Sequence, residues 1–312
     1  MDTMKQTSDW DAIVVGGGPA GLATALMLGR ARRRTLVIDA GQPRNRYAAH
    51  MHGVLGHEGL DPAELLRRGR KEVAEYGVEV RDGSVERVEE LTGGLRVVLA
   101  DGEEASTRAL VVATGLTDRL PDIPGLAERW GAGVLHCPYC HGWEVRDRRL
   151  GVLATSPLNL HQAQLVRQWS ADVTLFTAAI EPIETDVGAR LRSRGVRLAR
   201  EAVVEVLGEG TAISGVRLTD GSVVELDAIF TGGALLPHDR FLDRLGLERA
   251  ENPMGSYLAV DGVGQTSHPR IWAAGNVVNP GANVPLAIGA GTMTGSVVNM
   301  ALVTEEFDAA AS

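Results

Sequence analysis

Short apolar runs separated by glycines set the rhythm of this chain. WDAIVV at 10–15 is followed by a glycine cluster, then by LATALMLGRA, then by TLVIDA ending near Asp39. Brief apolar runs bounded by turn residues are the pattern of buried parallel strands, and the longer stretch between them reads as a helix. The predicted order is strand, glycine turn, helix, strand. ALVVATG at 109–115 and HPRIWAAGNV at 268–277 each read as a strand entering a small-residue turn. PLAIGAGTMTGSVVNMAL at 285–302 reads as a helix started by glycine, with its N-terminus near Gly289. RLGVLA at 149–154 and VTLFTAAIEP at 173–182 read as two further strands. The class is α/β.

The first turn, GGGPAG at 16–21, is a GxGxxG fingerprint in its proper setting. Gly16 allows the tight turn, Gly18 lets backbone approach a pyrophosphate, and Gly21 lets helix pack close to strand. The helix start then offers free N–H groups and a positive dipole end to phosphates. Asp39 lies 23 residues after Gly16, placed to accept from a ribose hydroxyl. RARRR at 30–34 precedes the second strand, so it reads as a solvated helix end rather than a phosphate clamp.

Composition narrows the partners. The 312 residues give room for two domains at roughly 100 to 200 residues each. A net charge of -9 argues against nucleic acid or an anionic membrane as partner. No apolar run of about 18 residues is evident, so no membrane span is expected. MDTMKQTSDWD at the start lacks the basic-then-apolar order of a signal peptide, and a cytoplasmic location is the expectation.

Both cysteines fall in HCPYCHGWEV at 136–145. In a reducing compartment a CxxC pair means redox work or metal more often than a staple. Neighbouring residues rarely all reach one tetrahedral zinc ion, and no second CxxC exists, so no metal is expected. CPYC also occurs in glutaredoxins, but those are small and carry it near the start. Cys137 and Cys140 are therefore read as a catalytic pair that passes two electrons. His141 is the candidate acid–base, because an imidazole titrates near neutral pH. His136 reads as a solvated loop histidine. His50, His52 and His57 cluster in the loop after the first βαβ unit, with His52 favoured as a cofactor or substrate contact.

GGGPAG, ATG and AAGN, in this order, resemble the FAD-binding segments of the thioredoxin reductase family, and HCPYCHG sits where that family carries its redox pair. The resemblance implies two Rossmann-like domains with FAD as the cofactor. The FAD domain would span 1–118 and 237–312, split by an inserted domain at 119–236 that carries the CxxC. DRLPDIPGL at 118–126 and FTGGALLPHD at 230–239 have the composition of joints, and the terminal DAAAS reads as frayed. On this resemblance Gly16, Gly18, Pro19, Ala20 and Gly21 meet the cofactor at the first turn. Asp39, Ala40, Arg44 and Asn45 follow the second strand, with His52 beyond them. Val85, Ala113, Thr114 and Gly115 come from the middle of the domain. Gly275, Asn276, Ala287 and Ile288 close the site. Asn276 stands where the family usually has Asp, an amide that can still bond a ribitol hydroxyl but brings no charge.

The inserted domain lacks a second nucleotide turn. TSPLNLHQAQLV follows RLGVLA, and no glycine occurs between Gly151 and Gly188. Pro157, Leu158 and Asn159 occupy the place where backbone must approach phosphate, and no basic cluster follows the next strand to hold a 2′-phosphate. With no seat for NADPH, electrons are expected to run from a dithiol through the CxxC to flavin and on to O2. That pattern resembles the dithiol oxidases that close disulfides in natural products such as gliotoxin, holomycin and romidepsin. His141 replaces the acid of the reductases' CxxCD, and PRNR at 43–46 with HGVLGHEG at 52–59 also resembles that branch. The resemblance implies Cys137 as the outer sulfur, Cys140 as the one beside the flavin, a small-molecule dithiol and O2 as partners, and a homodimer. The alternatives are a thioredoxin reductase-like enzyme fed by NADPH or another donor such as ferredoxin, and a flavin-binding redox sensor.

Overall fold

The computed structural model describes residues 9–312. The chain divides into two compact units. Among the described residues, the first comprises 9–44, Ala63–Thr117 and Leu235–Ser312; the second comprises Asn45–Pro62 and Asp118–Ala234.

The first unit opens with β1 (Trp10–Val15), α1 (Pro19–Arg30) and β2 (Thr35–Asp39). It continues with α2 (Pro62–Ala74), β3 (Glu79–Asp82), β4 (Val85–Leu91), β5 (Gly94–Leu99) and β6 (Glu104–Val112). β1 lies at the centre of a sheet ordered β3-β2-β1-β6-β5-β4, parallel except where β5 meets β4 and β6. The period of two along β1 feeds two cores. Ala12 and Val14 pack with Ala25, Leu28 and Val298 from the helices, while Ile13 and Val15 pack with Val88, Leu95 and Val97 from the antiparallel strands. A strand covered on both faces must be apolar throughout, as WDAIVV is.

β7 (Leu116–Arg119) leads to the second unit, which holds β8 (Val134–Leu135), α3 (Pro138–His141), β9 (Leu150–Leu153) and α4 (Leu158–Val166). β10 (Val173–Phe176), α5 (Thr185–Ser193), β11 (Arg197–Ala199), β12 (Val203–Leu207), β13 (Gly215–Leu218), β14 (Val223–Glu225) and β15 (Ala228–Thr231) follow. Its parallel sheet runs β11-β10-β9-β15-β8, and β12, β13 and β14 form an antiparallel sheet. β16 (Ala234–Pro237) leads back to β17 (Arg249–Asn252), β18 (Gly255–Leu258), β19 (Ile271–Ala273) and α6 (Val284–Ala311).

The boundaries differ from expectation in one place. Segment 45–62, assigned by sequence to the first domain, belongs to the second unit. Gly131, at φ +84°, lies so close to Tyr47 that a Cβ there would come within 2.7 Å of its carbonyl. A contact between residues that distant in sequence leaves no trace in local pattern.

α6 departs from its sequence reading in three ways. It begins at Val284, where the Asn283 side chain accepts from Leu286 N, so Gly289 lies inside the helix. It continues through Ala311 instead of fraying over the last five residues. It is long and apolar enough to cross a membrane by length and composition alone, contrary to the expectation that no such run exists. One face of it packs on α1. A Cβ on Gly291 would lie 2.0 Å from Ala20 O, and one on Gly295 2.7 Å from Thr24 O. Thr24 Oγ1 donates to Gly291 O at 3.0 Å. The basic run at the end of α1 is solvent-exposed except at Arg33, which is half-buried, donates to Asn299 at 2.7 Å and pairs with Glu306.

This close approach yields a prediction. Gly291→Ala forces the helices apart and should cost about 1–3 kcal/mol, as overpacking typically does. A lowered Tm in calorimetry is the expected result, and an unchanged Tm would show that α6 does not sit this close to α1.

Candidate functional site

The glycine turn of the first unit is built for a phosphate. Gly16 has φ +107°, and a Cβ there would lie 2.3 Å from Ala113 O. A Cβ on Gly21 would lie 1.8 Å from Gly16 O, so helix and turn can touch only without a side chain. Gly18 has nothing within 4 Å of its Cβ direction. It starts α1 without any side-chain cap, followed by Pro19, which has no N–H to satisfy. Open space over uncapped N–H groups is what a pyrophosphate needs. The residues present therefore fit a dinucleotide, although Asp39 is shared. Its Oδ2 accepts from Arg70, and a Cβ on Gly17 would lie 2.6 Å from the same oxygen.

Other predicted contacts gather around this turn in varied roles. Ala113 N donates to Val15 O at 2.8 Å. Thr114 Oγ1 donates to His238 O at 2.7 Å, and Gly115, at φ +68°, accepts from His238 N at 3.1 Å. Gly275, at φ +80°, packs on Ala20, whose Cβ would be 2.9 Å from an added Cβ. Asn276 does more than replace an acid. Its Nδ2 donates to the carbonyls of Asn279 (3.0 Å), Pro280 (3.3 Å) and Ala282 (2.9 Å). A carboxylate could not donate to carbonyls, so the amide suits this loop, and its Oδ1 is the atom left to accept a hydroxyl. Arg44 donates to the same Pro280 carbonyl at 2.9 Å. Ala287 and Ile288 lie in the first turn of α6, with Ala287 N bonded to Asn283 O at 2.9 Å. Val85 opens β4 opposite Leu99, and Ala40 is exposed beyond β2. Asn45 and His52 fall in the other unit.

In the second unit Pro138 starts the four-residue helix α3. The Cys137 carbonyl accepts from Cys140 N and His141 N, each at 3.1 Å. This single turn brings the two sulfurs 2.7 Å apart, both half-buried and not joined by a disulfide. His141 is half-buried beside them. Burial holds its pKa below the usual histidine value; the Glu144 carboxylate opposes this, and His52 and His136 add to it. His141 is therefore neutral at pH 7 and ready to accept a proton.

His52 has an acidic partner on each side. Its Nδ1 lies 2.6 Å from Glu58 Oε1, and its Nε2 3.5 Å from Glu144 Oε1. Glu58 also accepts from Gly53 N at 2.9 Å, and these bonds hold its carboxyl below the usual range. Glu58 and Glu144 escaped the sequence reading; the only hint was that Glu144 follows His141 by three residues. His50 bonds backbone, with Nδ1 3.1 Å from Gly59 O, and the His57 backbone bonds Val54 and Leu60. His136 is not a solvated loop residue: it is half-buried, with Nδ1 3.4 Å from Thr231 O. Tyr139, between the cysteines, is 75% exposed and meets Trp169 edge-on at 5.8 Å.

The turn after β9 is closed from within. Asn159 is 6% exposed, and its Oδ1 accepts from Thr155 N at 2.9 Å and Ser156 N at 3.0 Å. These N–H groups are the ones a phosphate would need. Sequence reasoning treated Asn159 only as bulk. An acceptor three residues after Ser156 is the spacing of a capping box, a signal that was there to read. After β10 comes Glu181, bonded to Thr177 Oγ1 at 2.6 Å, an acid at the strand end where a 2′-phosphate would need bases.

Comparison with known proteins agrees with this geometry. The model of the pyridine nucleotide-disulphide oxidoreductase family matches residues 10–293. The thioredoxin reductase tcpT of Claviceps purpurea is 32% identical, covering 97% of each chain. The thioredoxin reductase sirT of Leptosphaeria maculans is 28% identical over 94% of each. The crystal structure of HlmI superposes with a TM-score of 0.91 at 43% identity, over 96% of this chain and 95% of that one. Sheet order, glycine turn and redox pair thus come together with these likenesses: this chain belongs to the pyridine nucleotide-disulphide oxidoreductase family and has the thioredoxin reductase type of fold.

Proposed function

We propose that the chain is an FAD-dependent dithiol oxidase that closes an intramolecular disulfide in a small natural-product dithiol, with O2 reduced to H2O2. The observation that carries this reading is a CxxC pair in a unit whose nucleotide turn is occupied by Asn159. A reductase fed by NADPH needs a pyridine nucleotide there; an oxidase does not. The open turn from Gly16 to Gly21, with Asp39 and the Asn276 loop, would hold the FAD.

The cycle starts from the Cys137–Cys140 disulfide. A substrate thiolate attacks Cys137 Sγ, and Cys140 leaves as a thiolate. The second substrate thiol gives its proton to the free ring nitrogen of neutral His141. It then attacks the substrate sulfur of the mixed disulfide and releases Cys137 as a thiolate. FAD, when bound, supplies the two-electron acceptor that re-forms the pair and is itself reoxidised by O2. The dithiol loses two electrons and two protons, and O2 gains both. Glu144, His52 and Glu58 form a line of groups that can pass the proton outward.

Disulfide reduction is the second reading, favoured by the names of the relatives tcpT and sirT. Anaerobic NADPH should leave the flavin spectrum oxidised, whereas a dithiol should bleach it. Air should then restore it, with one H2O2 per disulfide formed. Bleaching by NADPH, or a flavin that oxygen fails to restore, would favour the reductase.

The pH profile tests His141. As a base it works above its pKa, so the rate should rise with pH through that value. Glu144→Gln removes the charge that raises the pKa and should move the acid limb to lower pH. His141→Ala should cost about a hundredfold or more in turnover.

The exposed face of α6 supports a homodimer. Leu286, Met293, Met300 and Phe307 recur every seven residues and are 58%, 53%, 61% and 74% exposed. A seven-residue repeat marks a seam for another helix, and a second copy presents the same seam. Lipid would call for apolar cover on the flanks too, where Thr292, Ser296 and Thr304 lie. Light scattering should find a dimer, and Met300→Glu should convert it to a monomer. A wild-type monomer that binds vesicles would point to lipid instead.

A further inference from the structure

The residues at the turn after β9 do more than exclude a phosphate. Asn159 and Gln162 stand three apart on α4 and share a face. Asn159 Nδ2 donates to Gln162 Oε1 at 2.7 Å, and Gln162 Nε2 donates to the His136 carbonyl at 2.8 Å. That carbonyl belongs to the peptide that leads into Cys137. A second tie runs beside the first: Thr155 Oγ1 donates to Gly232 O at 2.8 Å. Gly232 in turn lies against His136, whose ring would be 3.8 Å from an added Cβ.

The direction of this chain is set by its ends. Two backbone N–H groups meet Asn159, so the atom facing them must be its oxygen. The Asn159 amide nitrogen then faces Gln162, whose oxygen must turn to meet it. The Gln162 nitrogen is left for the His136 carbonyl, the only end that needs a donor. Each amide has one orientation that satisfies both neighbours. The relay is largely shielded, with Asn159 buried and Gln162 half-buried, and an unmade bond there costs more than in water.

We propose that Asn159 and Gln162 are positioning residues for the redox pair: the amide relay that occupies the former nucleotide turn holds the His136–Cys137 peptide, and with it sets the reactivity of Cys137 Sγ. The turn thus has a new task in place of binding pyrophosphate, and the two tasks exclude each other because both use the N–H groups of Thr155 and Ser156. The proposal rests on the CxxC being redox-active and not on oxygen as acceptor, so it stands apart from the choice between oxidase and reductase.

The test uses the holoprotein carrying Cys140→Ser, in which Cys137 is the sole thiol. Its reaction with an aromatic disulfide reagent forms a mixed disulfide and releases one coloured aryl thiolate, so the rate reports on Cys137 alone. Asn159→Asp keeps the acceptor for the two N–H groups but loses the donor to Gln162. Gln162 must then turn its nitrogen to the new carboxylate and present oxygen to the His136 carbonyl. Gln162→Met fills the same space without the donor. Each should change the exchange rate about three- to tenfold, the worth of one hydrogen bond, and Tm should fall by no more than the loss of one buried hydrogen bond brings. The double variant should show no more change than either single one, since both cut one chain. Multiplying effects would mean independent structural roles and would overturn the proposal. An unaltered rate in Gln162→Met would overturn it alone, and that variant suffices if Asn159→Asp fails to fold.

Discussion

Backbone N–H groups at a helix start have no partner within the helix, and what satisfies them decides what each half of this protein can do. At α1 no side chain among the described residues does: Gly18 is bare and the space beyond it is open. In the turn just before α4 the Asn159 side chain takes the N–H groups of Thr155 and Ser156, and the turn is closed. Two parallel-sheet units with strand-turn-helix starts of the same kind therefore have opposite capacities. One can take a dinucleotide phosphate; the other has spent the groups that would bind it. The direction proposed for electron flow follows from that difference.

The redox pair draws on the same local economy. A four-residue helix turn places the two sulfurs together, and the residue after the pair, His141, is buried enough to stay neutral. Buried neutral imidazole is a base that needs an exit for its proton. In the proposed cycle Glu144, His52 and Glu58 would supply one, and two of these come from segment 45–62. That segment brings His52 and Glu58 into the unit that carries the cysteines.

Much of the architecture is local enough to be read along the chain. Strand and helix periods, the glycine turn and the CxxC pair each depend on neighbours within a few residues. So does the loss of the second glycine turn. The start of α6 was misplaced because Gly289 looks like a punctuation mark, whereas Asn283 is the residue that caps the helix. Gly291 and Gly295 of α6 are there for the approach to α1, a contact across most of the sequence.

The sequence by itself determined the fold class, the phosphate-ready turn, the redox pair and the absence of a glycine cradle after β9, because each is a property of adjacent residues. Only the tertiary structure decided that segment 45–62 sides with the cysteines, that His52 stands between two carboxylates, and that Asn276 is an amide for the sake of three carbonyls. It also turned Asn159 from an obstacle into a hydrogen-bond partner. Hydrogen bonds and burial depend on distance in space, and residues 52 and 144, or 136 and 162, become neighbours only once the chain has folded.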